Sequence, residues 1–202
     1  PAFESRSRRV SRGEDWLDAW QDVREGLAEV SRYAQDNGIV LALQTHPEIL
    51  GNNEETLQML EEVNNPYLKV GLDLPLLESQ DHGFIRHIVK KMKDQMVYSH
   101  TISLAKNQTI GGAPYSWEEV APGSEKDPMQ WEVFIQALKE NNYRGLLSAE
   151  ICSPVITKDH KLGTIKTIDE RYNESREYMK SLLLKYDCYS GKKKQKAGKE
   201  FA

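Results

Sequence analysis

Four short apolar runs of this chain each end in polar side chains that can bind a cation or carry a proton. The first runs into Gln44-Thr45-His46-Pro47-Glu48, and the second delivers Asp73. The third closes on Tyr98-Ser99-His100 and the fourth on Ser148-Ala149-Glu150. Side chains alternate along a strand, so residues two apart share a face. Gln44 is thereby grouped with His46, Gly71 with Asp73, Tyr98 with His100, and Ser148 with Glu150. If those faces look the same way, Gln44, Asp73, His100 and Glu150 converge above one sheet. An amide oxygen, two carboxylates and an imidazole form a mixed oxygen and nitrogen donor set. Such a set suits Mn²⁺ or Mg²⁺, and less obviously Zn²⁺ or Co²⁺. One acidic residue at a strand end is commonly a helix cap or turn residue. Recurrence at four successive strand ends is what carries the signal.

The elements that must position these groups follow from hydrophobic spacing. From Asp15, the residues Trp16, Trp20, Val23, Leu27, Val30 and Ala34 recur at steps of three and four, the stripe of an amphipathic helix. Asn37-Gly38 stops it. Residues 39–44 then read as a short strand buried on both faces. Asn52 or Asn53 caps a helix carrying Leu57, Leu60 and Val63, which Asn64-Asn65-Pro66 breaks. Tyr67 to Leu74 is the next strand, Phe84 to Met92 the next helix, and Met96 to Ile102 the third strand. Residues 103–126 contain Gly111-Gly112 and two prolines without a clear period, and are read as a long loop, of a length that is usually functional or disordered. Asp127-Pro128 opens a helix buried through Trp131, Phe134, Ile135 and Leu138. Leu146 to Ile151 is the last strand and Ile165 to Tyr186 the last helix. Short apolar strands alternating with amphipathic helices indicate an α/β fold with a parallel sheet covered by helices.

Composition narrows the function classes. The chain has 202 residues, of which 39% are hydrophobic and 29% charged, the balance of a globular domain with a real core. No apolar run approaches the roughly 18 residues of a membrane helix. A formal charge of −4 exerts no pull on nucleic acid or anionic membranes. Neither is expected as a partner, whereas a homo-oligomer is compatible with the sequence. Two cysteines are too few for a disulfide framework. Cys152 and Cys188 are read as free thiols, and with no secretory signal in sight a cytoplasmic location is the expectation. Residues 1–14, with Arg6, Arg8, Arg9 and Arg12 among serines, read as a solvated loop. Residues 187–202 read as a basic, disordered tail.

The same strand ends resemble the sugar phosphate isomerase/epimerase family, the xylose isomerase-like TIM barrels. Val40-Leu41-Ala42-Leu43-Gln44-Thr45-His46-Pro47 is similar to the family segment ending Glu-Asn-His. Leu68-Lys69-Val70-Gly71-Leu72-Asp73 resembles the strand that delivers an Asp, and Val97-Tyr98-Ser99-His100-Thr101-Ile102 resembles the His-x-His strand. Trp131-x-x-Phe134 through Glu150 looks like the last helix–strand unit. The match runs over residues 15–186 and covers strands five to eight, the C-terminal half of a (β/α)8 barrel.

The resemblance implies one divalent metal ion held by Gln44, Asp73, His100 and Glu150, and a small sugar- or polyol-like substrate. Glu150 is the implied proton-transfer carboxylate in an isomerisation or epimerisation through an enediolate. His46 is read as a substrate-hydroxyl contact or proton shuttle, with Glu48 and Tyr98 as further substrate contacts. Three departures stand out. The first family glutamate is Gln44, which can ligate a metal but is no base near neutral pH. Asp73 comes two residues early, with Pro75 at the ungapped position, and Tyr98 replaces the first His of His-x-His. Gln44 leaves room for a metal-dependent lyase or dehydratase, or for a non-catalytic sugar-binding barrel. A multi-zinc nuclease of the related endonuclease type fits less well, because the chain has only five histidines.

Overall fold

The computed structural model describes residues 15–46, 49–107, 116–152, 154–155, 157 and 161–188. The expected loop at residues 1–14 lies outside these residues, as do Glu48 and all of the expected tail at 187–202 except Asp187 and Cys188.

Helix α1, Trp16–Asp36, starts where the Asp15 carboxylate accepts from the Leu17 N–H at 2.9 Å. It ends at Asn37, and Gly38 turns the chain at φ 65°, a conformation an L side chain rarely adopts. Strand β1, Leu41–Gln44, leads into α2, Asn53–Val63, whose cap is Asn52. Strand β2, Leu68–Gly71, runs into a short 3-10 turn at Leu74–Leu76 and then α3, His82–Met92. After β3, Met96–Thr101, the chain forms β4, Ser103–Asn107, and β5, Ser116–Val120. Helix α4, Trp131–Glu140, strand β6, Leu146–Ala149, and helix α5, Ile165–Lys185, complete the order.

Strands β1, β2, β3 and β6 pair in that order, all parallel. Leu68 and Val70 point to one side, where they meet Ile85, Ile88, Val89 and Met92 of α3 and Trp131, Phe134 and Ile135 of α4 in one buried cluster. A second cluster joins Ala19 and Trp20 of α1 to Met59 of α2. The strands are therefore not buried on both faces as their apolar character suggests. The face opposite the helices carries Gln44, Tyr98 and Ser148, all half-buried, and leaves Leu146 68% exposed. Registry aligns that face, with Gln44 beside Gly71, Gly71 beside Tyr98, and His100 beside Ser148. No described helix is long and apolar enough to cross a membrane.

Two expectations need correction. Residues 103–126 are not one loop, because β4 and β5 form an antiparallel hairpin within them. Its root is held by the buried Trp131 Nε1–H, which donates to the Ser103 hydroxyl at 2.8 Å. Nor does Asp127 cap α4, which begins at Trp131. Its carboxylate instead accepts from two backbone N–H groups, Gly123 at 2.7 Å and Met129 at 2.9 Å. That pinches the preceding turn and delays the helix.

In the same turn Ser124 N–H returns to the Ala121 carbonyl at 3.0 Å across Pro122-Gly123, with Gly123 at φ 78°. A Cβ on Gly123 would lie 2.2 Å from the Tyr178 ring. Gly123→Ala is therefore expected to cost about 1–3 kcal/mol, from backbone strain and overpacking together. A urea unfolding midpoint equal to that of the parent chain would contradict this.

Candidate metal centre

Strand β2 stops at Gly71, and Leu72 still donates to the Tyr98 carbonyl at 3.0 Å. Asp73 follows, at the entrance to the 3-10 turn, where its side chain caps nothing. It is turned back over the sheet instead, 3% exposed, and accepts from the His100 backbone N–H at 2.6 Å. Its Oδ2 lies 3.0 Å from His100 Nδ1 and also takes a hydrogen bond from the Gln44 amide. Gln44 Nε2 is in turn 2.7 Å from His100 Nδ1. From the far strand, Glu150 Oε2 reaches to 3.5 Å of the same imidazole nitrogen. The structure thus brings Gln44, Asp73, His100 and Glu150 to one point.

Gly71 gives Gln44 its space. A Cβ there would stand 3.3 Å from Gln44 Cγ and 3.6 Å from Ala42 Cβ. Tyr98 supports His100 edge to face, the ring centroids 4.7 Å apart. Behind the sheet, Thr45 Oγ1 contacts Thr56 at 3.0 Å and donates to Asn53 at 3.4 Å. Asn53 hands both its backbone and side-chain N–H groups to the Glu78 carboxylate. That chain of contacts, buried from Thr45 to Asn53 and ending on the exposed Glu78, ties the end of β1 to the segment after Asp73.

The other expected contacts fall differently. His46 is exposed, in an isolated bridge whose N–H donates to the Leu50 carbonyl at 2.8 Å, and it is not among the four converging groups. Parity along β1 does not carry to it, because the strand ends at Gln44. Cys152, read only as a free thiol, is free and exposed. Burial first, then Glu150 and the nearby Glu119 and Asp73 charges, push this thiol up to about 12, so it stays protonated.

His100 is held above the ordinary imidazole range. The hydrogen bond to Asp73 is the main cause, burial opposes it, and the Asp73 and Glu150 charges add to it. A metal and a proton compete for such a nitrogen, so divalent-metal affinity is expected to fall as pH drops through that raised value. Below it the expected loss is about tenfold per pH unit. The metal-free fold behaves oppositely, losing the His100–Asp73 contribution as pH rises through the same value. Mn²⁺ titrations between about pH 6 and 8 check the first statement, and a flat profile would contradict it.

Two carboxylates and one imidazole offer ligand atoms all within 4.8 Å of one another. Ligands about 2.1 Å from one ion stand roughly 3–4 Å apart, so the set needs only slight contraction. Gln44 now turns its amide nitrogen inward, and a half-turn of the amide would present the oxygen. The residues present fit a single hard divalent cation.

A family model described as the xylose isomerase-like TIM barrel matches residues 4–182. No curated protein sequence matches the chain. Among solved structures, a xylose isomerase domain protein from Planctomyces limnophilus shares 18% identity at a TM-score of 0.60, covering 84% of this chain and 54% of that one. D-psicose 3-epimerase with D-tagatose from Clostridium cellulolyticum H10 gives 16% and 0.64, covering 86% and 59%. The 3-keto-D-glucoside 4-epimerase from E. coli gives 13% and 0.61, covering 85% and 57%. The chain therefore spans little more than half the length of these structures, and at such identities the likeness establishes the fold.

Proposed function

Because this chain belongs to the xylose isomerase-like TIM barrel family, we propose that its four converging side chains hold one Mn²⁺ or Mg²⁺ in an isomerase- or epimerase-like enzyme. The substrate class is a small sugar or polyol bearing a carbonyl next to a hydroxylated carbon. The observation that carries this reading is the meeting of Asp73, His100 and Glu150 from three different strand ends. A divalent ion there would polarise the carbonyl and acidify the neighbouring C–H. Glu150 is half-buried at the rim of the cluster, and its carboxylate takes that proton and returns it. Asp73, nearly fully buried, orients His100 through its Nδ1 and backbone N–H. Tyr98, His46 and Glu48 contact substrate hydroxyls, His46 serving also as a proton shuttle.

Gln44 decides the type of proton transfer. Inversion at carbon needs acid–base groups on both faces, and an amide cannot act as one near neutral pH. The reading therefore favours transfer on one face, as in an aldose–ketose isomerisation, with a lyase step next. The test incubates the chain, Mn²⁺ and a panel of ketoses in D₂O and follows the proton beside the carbonyl by NMR. Deuterium incorporation is expected. Saturable Mn²⁺ binding without incorporation into any ketose overturns the enzymatic reading and supports a non-catalytic sugar-binding barrel, which Gln44 also motivates.

A further inference from the structure

Glu150 stands one residue beyond the end of β6, where the parallel ladder no longer holds the backbone. Two residues later, the Cys152 N–H donates to Glu119 Oε2 at 2.9 Å. Glu119 lies on β5, opposite Leu104 of β4, and its side chain is only 4% exposed. Its other oxygen lies 3.5 Å from Arg171 Nη2 of α5, itself 17% exposed. Three elements that do not otherwise share a strand ladder thus meet at one carboxylate. The Cys152 backbone, two residues beyond Glu150, is fixed there.

Burying an ion pair is a poor way to gain stability, since desolvation offsets most of the attraction. An apolar residue at 119 could fill the space but could not accept from the Cys152 N–H. We propose that Glu119 is a positioning residue for Glu150, acting through the backbone of Cys152. The β4–β5 hairpin is then the element that delivers this clamp to the rim of the metal centre. The proposal rests on the reading of Glu150 as proton carrier, and its test separates the two.

The test compares Glu119→Ala, which removes the acceptor, with Glu119→Gln, which keeps an acceptor oxygen and loses the charge. Amide hydrogen exchange at Cys152 needs neither metal nor substrate. It is expected to be protected in the parent chain, about tenfold or more faster in Glu119→Ala, and largely restored in Glu119→Gln. Unchanged protection in Glu119→Ala, or an unprotected parent amide, overturns the clamp. Mn²⁺ affinity and the deuterium-exchange rate are each expected to fall about 10–100-fold in Glu119→Ala, in kcat rather than KM. In a Glu150→Gln background the same change should add nothing further, and additive losses would overturn action through Glu150. A parent chain without deuterium exchange would sink the enzymatic reading, while the amide protection and Mn²⁺ affinity would still judge the clamp.

Discussion

Asp73→Ala is expected to lower Mn²⁺ affinity by at least about 100-fold. Asp73 contributes a carboxylate oxygen to the cluster, and it also orients two of the other groups. It accepts from the His100 backbone N–H at 2.6 Å, faces His100 Nδ1 at 3.0 Å, and receives the Gln44 amide. Removing it takes away one ligand and releases two more. The effect on metal-free stability should be far smaller. Donors left unpaired cost about 1–3 kcal/mol each, but a carboxylate only 3% exposed no longer has to be desolvated. Asp73→Asn keeps an acceptor oxygen and should fall between alanine and the parent chain. Free Mn²⁺ measured by its EPR signal during titration separates the three, and equal affinities would remove Asp73 from the site.

Glu150→Gln is expected to slow deuterium incorporation beside the substrate carbonyl by about 10²–10⁴-fold. The change preserves shape and one ligand oxygen, so Mn²⁺ affinity should drop much less than in Asp73→Ala. Loss of exchange with metal retained therefore isolates the proton-transfer role. Exchange at the parent rate would assign that role to another group, with His46 next to be replaced.

The convergence of Gln44, Asp73, His100 and Glu150 was legible because it needs only strand ends and parity. Apolar runs mark the strands, and parallel registry then stacks equivalent positions side by side. Asp73 shows why two missing residues against the family pattern did little harm. Parity was kept, and the turn after Gly71 folds the carboxylate back over the sheet. His46 shows the limit of the same argument, since alternation stops meaning anything once β1 ends at Gln44.

The hairpin was illegible for a different reason. Ser103–Asn107 and Ser116–Val120 carry no sustained alternation, and their pairing depends on contacts such as Trp131 to Ser103 that are distant in sequence. Glu119 was hidden with it, as a charge in an irregular segment that becomes nearly buried only in the folded chain. The start of α4 was misread because Asp127-Pro128 has the chemistry of a helix cap. The fold spends that carboxylate on Gly123 and Met129 instead.

The central claim is that side chains from separate strands share one cation, and pulsed EPR of the chain loaded with a single equivalent of Mn²⁺ addresses it directly. The account predicts a ¹⁴N coupling from one imidazole that vanishes in His100→Ala and persists in His46→Ala. A Mn²⁺ spectrum with no nitrogen coupling, or one that His100→Ala leaves unaltered, would contradict it.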